Sequence, residues 1–184
     1  MNNRRHPWQW VLARWEEAGP RTRIILGSIL VGVVGLMGFT PNVLFGTTLS
    51  WPYIALTAAI GWGKSGFNFL SMSMLILFGF GQDISTSAPF GCFALINLMT
   101  LGGSVLFHQT LKVPSIHAVD HVQSTILLLL AFIMIWLLAS LLTGHIARIV
   151  PIFFSFLTTA FLQFFIAPIF NIDVNQDQTA RTVL

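Results

Sequence analysis

The stretch Gly79–Gly91, GFGQDISTSAPFG, closes a run of eighteen residues, Ser65 to Gln82, that carries no charged side chain. An apolar run of that length, stopped by glycines, hydroxyls, an acid and a proline, reads as a membrane-crossing helix, a turn and the start of a second crossing. Asp83 is the unusual member. A charged side chain at mid-bilayer costs about 2.5–3.5 kcal/mol on insertion scales and less near the interface, so an acid is expected at the end of a span. A carboxylate at a helix C-terminus also faces the negative end of the helix dipole. It therefore calls for a partner, from this chain or another.

The rest of the sequence repeats this pattern. Of 184 residues, 55% are hydrophobic and 8% charged, against about 25% charged in soluble domains. Most of the surface is therefore not meant for water, and the composition describes an integral membrane protein with one compact helical domain. The net charge of +3 does not indicate nucleic acid, because five of the nine basic residues, Arg4, Arg5, Arg14, Arg21 and Arg23, precede the first apolar run. That placement is a topology signal. Cys92 is the single cysteine, so no intrachain disulfide can form. No small-residue cleavage site follows the first apolar segment, which reads as a retained span.

Residues 24–63 hold no charged side chain. Forty residues at about 1.5 Å rise exceed one bilayer core of about 30 Å, so two spans are expected there with a turn at Pro41-Asn42 and Gly46. The predicted spans are 24–40, 48–63, 66–82, 88–107, 122–143 and 149–170, with Pro151 in the first turn of the last. The predicted organisation is thus a basic segment 1–23, interfacial or solvated and rich in tryptophan, then a six-helix transmembrane bundle over 24–170 and a polar tail 171–184. With six spans, eight basic residues fall on the N-terminal side and only Arg148 on the other. The positive-inside rule then predicts both termini in the cytoplasm and Asp83 at the outer face.

Four constellations are candidates for function. In the first, Ser87 would cap the fourth span, with Pro89 in its first turn, while Gly79 and Gly81 allow close helix approach. In the second, Gly63-Lys64-Ser65-Gly66 formally matches G-x-S-G, the nucleophile motif of rhomboid intramembrane proteases, but residues 149–170 offer no histidine as base, and Lys64 marks a cytoplasmic turn. In the third, His117 and His121 sit four apart and share a helix face, with Asp120 and His108 as further ligands. Without an evident fuller ligand set this reads as a polar connection. In the fourth, Ser28, Gly32, Gly35 and Gly38 form a small-residue stripe for helix packing. No acid or base lies in mid-span, and no phosphate-binding loop or paired carboxylates occur, so the sequence gives no support for an enzyme, a cofactor or a metal.

From Pro52 to Leu95 the chain resembles MreD, a small multi-span membrane protein of the bacterial rod-shape system. The resembling features are Pro52 at the head of the second span, Gly66-Phe67 opening the third, and Asp83 with Gly91 eight residues later before Phe93-Ala94-Leu95. Ser87 departs from the pattern, where the family often has a second glycine, and the segment 1–23 is longer than usual. The resemblance implies a non-enzymatic scaffold of the cell-elongation machinery in the cytoplasmic membrane. Its implied partners are the bitopic protein MreC, the polymerase RodA with its partner transpeptidase, and the MreB filament. It implies fold- or interface-setting roles for Pro52, Gly66, Asp83, Pro89 and Gly91. The MreD-like fold is similar to the substrate-binding subunits of energy-coupling-factor vitamin transporters, which supply the alternative: a vitamin-capturing subunit whose first span docks a coupling protein.

Overall fold

A computed structural model describes residues 19–37, 43–44, 47–48, 52–86, 88–110, 117–146 and 148–170. Among them are six helices: α1 Pro20–Met37, α2 Ile54–Gly63, α3 Phe69–Thr86, α4 Cys92–Thr110, α5 His117–Thr143 and α6 Ile149–Phe170. Two short strands, β1 Val43–Leu44 and β2 Thr47–Thr48, pair antiparallel between α1 and α2. This hairpin falls where the turn signals lie. The helices α3, α4, Val119–Leu142 within α5, and α6 are each long and apolar enough to cross a membrane. The protein is a helical membrane protein.

Neither α1 nor α2 is among those four, and the second predicted span is the one that changes most. Residues 48–63 were expected to cross, but the helix is only Ile54–Gly63, ten residues and all of them buried. At about 1.5 Å per residue it is about 15 Å long, half the bilayer core. It packs against each of the other five helices. Its Ala58, Ala59 and Trp62 belong to one apolar cluster with Ile24, Leu75 and Phe170. Its Leu56 and Ile60 belong to a second, with Phe93, Leu128 and Phe132. A helix that is apolar on every side is expected at a protein centre or in lipid; α2 is at the centre.

Contacts along α2 give the helix directions. Tyr53 N donates to Thr159 Oγ1, midway along α6, at 2.9 Å, and Gly61 near the end of α2 lies against Phe170 at the end of α6. Tyr53 stacks on Phe93, at the start of α4, while Ser104 Oγ, further along α4, donates to Ile60 O at 2.7 Å. So α2, α4 and α6 run one way. Lys64, just past α2, forms an ion pair of 3.1 Å with Asp120 in the first turn of α5, and α1, α3 and α5 run the other way. The bundle thus has a Lys64 end, where α1 begins, and an Asp83 end.

Side chains face the opposite way to those of a soluble bundle. On α6 the buried positions include Ser155, Thr159 and Gln163, four residues apart on one face, whereas Phe153, Phe154, Phe161, Phe164 and Phe165 are exposed. In lipid the apolar side chains have no reason to turn inward, and small or polar residues mediate contacts between helices. Several buried hydroxyls bond to backbone carbonyls, as Thr100 does to Ile96 and Thr159 to Ser155.

Close approach is concentrated at three helical glycines. A Cβ on Gly79 would overlap the backbone of Ala94, one on Gly61 would meet Phe170, and one on Gly63 would meet Ser104. Gly102, by contrast, has open space beside it. Gly79→Ala is expected to destabilise the protein by about 1–3 kcal/mol, the usual cost of overpacking. Gly102→Ala should be neutral or slightly stabilising. Reversible unfolding in mixed micelles, followed by circular dichroism, measures both.

Candidate functional site: the Asp83 joint

The joint between α3 and α4 is built around the acid of the opening stretch. Asp83 is only 1% exposed. Its Oδ2 accepts from Gly91 N at 2.7 Å and its Oδ1 from Phe93 N at 2.8 Å. Both donors are free amide groups at the start of α4, so the carboxylate of one helix caps the next. The dipole conflict is resolved by the same contact: Asp83 ends α3, at its negative pole, but rests on the positive pole of α4. The partner that the sequence called for lies within the chain.

The intervening backbone is arranged for this bond. Ala88 N donates to Asp83 O at 2.9 Å and closes the end of α3, and Cys92 N donates to Pro89 O at 3.1 Å and opens α4. Pro89 therefore precedes the helix rather than lying in its first turn. Gly91 has φ +93°, a conformation that side-chain-bearing residues rarely adopt, and this turns its N–H toward Asp83. Phe80 and Phe90 stack across the joint with ring centroids 4.5 Å apart. Phe90 is 73% exposed, and Ile84 is exposed as well. Ser87, expected as the cap of α4, lies outside the described residues.

The other expected residues fall at separate places. Gly66, with φ +83°, makes the turn between α2 and α3. Pro52 is half-buried ahead of α2 and its carbonyl accepts from Ile54 N. Ser28 is buried with its Oγ unpartnered, Gly32 and Gly35 line a cavity of about 560 Å³, and Gly38 lies outside the described residues. Ser65 of the G-x-S-G match donates its hydroxyl to Trp62 O at 2.8 Å, at the end of the bundle opposite His145. Asp120 is held by Lys64, and the His121 ring lies against Phe164. Among the described residues, no group of three ligating side chains is placed to hold a metal.

Sequence reasoning missed the uncharged polar residues of the core. Asn97 Nδ2 donates to Leu75 O at 3.2 Å and ties α4 to α3. The signal was available: Ser155, Thr159 and Gln163, or Asn97, Thr100 and Ser104, recur at helical spacing within apolar runs. Comparison with known protein families, characterised proteins and solved structures yields no match.

Hydrogen bonds to a charged group contribute about 1.5–3 kcal/mol. Asp83→Asn keeps one acceptor and places an amide donor against the second N–H. It is expected to lose an amount in that range, and Asp83→Ala more. Hydrogen exchange at the Gly91 and Phe93 amides should accelerate in both variants before it does in α2, which amide-resolved exchange in micelles reads directly.

Proposed function

We propose that this chain is a non-enzymatic scaffold of the cell-elongation machinery, a six-span bundle in the cytoplasmic membrane with both termini in the cytoplasm. In this reading it binds MreC and helps regulate the peptidoglycan synthase formed by RodA and its partner transpeptidase. The observation that carries the reading is the Asp83–Gly91 bond. The acid and the glycine eight residues on, which anchor the resemblance to MreD, hold one another at 2.7 Å as one structural unit. Orientation is supported by charge: Arg21, Arg23 and Lys64 lie at one end and Arg148 at the other, the asymmetry of the positive-inside rule.

The joint also supplies a contact surface. Asp83 fixes the backbone on which Phe90 and Ile84 project outward. A rigid aromatic anchor is a frequent source of binding energy. Within the membrane, where lipid is as apolar as leucine, association rests on packing and hydrogen bonds. The vitamin-binding alternative calls for convergent polar groups. The described walls of the cavity are mainly apolar, with residues such as Val31, Leu36, Leu77 and Ile152, and its polar groups Gln82, Ser85 and Thr86 lie together on α3.

Purification of the tagged chain in mild detergent, with MreC co-produced, tests the reading. The wild-type chain should retain MreC. Phe90→Ser should lower the recovered MreC several-fold with little change in unfolding midpoint, since exposed substitutions usually stay within about 0.5 kcal/mol. A wild-type chain that retains no MreC would end the scaffold reading.

A further inference from the structure

The connection between α5 and α6 lies at the Asp83 end of the bundle and is short, Gly144 to Arg148. Gly144 takes φ +66° to make the turn. Two membrane-crossing helices bound the connection, and its surroundings are apolar. Ile146 is 85% exposed, and Leu141, Leu142, Ile149 and Val150 are exposed on either side. Apolar residues exposed at the ends of spans face acyl chains. The connection therefore holds Arg148 at the boundary between chains and headgroups, where a long basic side chain turns its charge toward the polar layer.

Arg148 has no counter-charge in its own chain. It is exposed, and it makes no ion pair or hydrogen bond among the described residues. The sequence holds six acids. Asp83 is buried and committed to Gly91 N and Phe93 N. Asp120 is held by Lys64 at the other end. Glu16 and Glu17 precede α1 and Asp173 and Asp177 follow α6, so these four belong to segments that join the bundle at the Lys64 end. The 22 residues of α6 put that end about 33 Å from Arg148. The three connections at the Asp83 end, residues 38–53, 87–91 and 144–148, contain no Asp or Glu, and Arg148 is their one Lys or Arg. A guanidinium at a partly desolvated boundary is stabilised by an anion, and the source of one is outside the chain.

Beside this charge runs an open groove of about 370 Å³. Trp136, Leu137 and Leu141 of α5 line it, with His145 and Ile146 of the connection at its end. Positions 137, 141 and 145 are four apart, so the groove follows the axis of α5 for about 12 Å. That is the direction in which acyl chains lie along a membrane-crossing helix. The half-buried indole of Trp136 is a large, rigid wall. A soluble anion would answer Arg148 and leave the apolar groove unfilled. An uncharged lipid would fill the groove and leave Arg148 unanswered. A lipid with an anionic head satisfies both, and a guanidinium matches phosphate oxygens with two parallel hydrogen bonds.

We infer that the α5–α6 connection binds an anionic phospholipid, its phosphodiester on Arg148 and one acyl chain along Leu137 and Leu141. This site depends on the chain crossing a membrane and on no other part of the scaffold reading.

Photolabelling of the full chain in phosphatidylcholine nanodiscs tests it, with a phosphatidylglycerol that bears a diazirine on one acyl chain. Cross-links should map to Trp136–Ile146, and unlabelled phosphatidylglycerol should compete for them where diacylglycerol of the same chains does not. Arg148→Gln should raise the mole fraction for half-maximal labelling of that segment about tenfold, as expected for the loss of a charge-assisted hydrogen bond, with the unfolding midpoint in place. Arg148→Lys, which keeps the charge, should recover most of the labelling. Arg21→Gln, at the opposite end of the bundle, should leave it unchanged. Labelling of Trp136–Ile146 that is absent, equal in wild type and Arg148→Gln, or competed equally by diacylglycerol would overturn the assignment. Displacement of the label by inorganic phosphate alone would overturn the lipid as the source of the phosphate.

Discussion

The complete burial of α2 is the constraint on which the other helices depend. Ten residues without an exposed face must be enclosed by protein, and all five other helices contribute. This sets the contents of both apolar clusters, because Trp62 and Ala58 face one while Leu56 and Ile60 face the other. It also sets where backbones must come close: Gly61 against Phe170 and Gly63 against Ser104 occur on the last turn of α2, where α6 and α4 converge on it. Lipid offers little hydrophobic drive for helices to associate. Cohesion therefore comes from these dense contacts and from hydroxyl and amide bonds between helices, such as Ser104 to Ile60 and Asn97 to Leu75.

A central helix of half length divides the bundle into two unlike halves. Around α2 and toward Lys64 the packing is close and includes the ion pair to Asp120, whose lysine side chain is only 8% exposed. Toward Asp83 the core is missing its central helix. There α3 and α4 are held to one another by a carboxylate and two amides. A neutral cap could satisfy the same donors, but a charged acceptor gives bonds roughly twice as strong. In low-dielectric surroundings it also gains more from the dipole of α4.

Much of this was legible in the sequence, and the parts that were not share a cause. The break at Gly79–Gly91, the turn before α2 and the limits of α6 follow from apolar run length and turn residues, which are local. The length of α2 was not legible. Hydropathy reads residues 24–63 as uniformly apolar whether a residue faces lipid or another helix, so a buried half-helix and a full crossing look alike. The partner of Asp83 lay only eight and ten residues away, but identifying it required knowing that Gly91 takes a positive φ. The pairing of Lys64 with Asp120 spans fifty-six positions, with no local pattern to announce it. The stripe Gly32–Gly35 was visible as small residues; that it opens on a cavity rather than a neighbouring helix depends on α2 being short.

The joint and the cavity are two faces of one helix. Successive residues of α3 are turned by about 100°, since 3.6 residues make a turn. Anchoring Asp83 to α4 therefore fixes the rotation of α3 about its own axis, and with it the direction in which Gln82 points. Gly79, one turn before Asp83, presses on Ala94 and adds a second restraint to the same rotation. Gln82, Ser85 and Gly81 are left on the cavity wall, and Ile84 toward the outside. A change that loosened Asp83 would not remove any lining residue, yet it would free α3 to turn and would take the polar wall out of register with α1 and α6. The acid in the opening stretch thus orders surfaces that it does not touch.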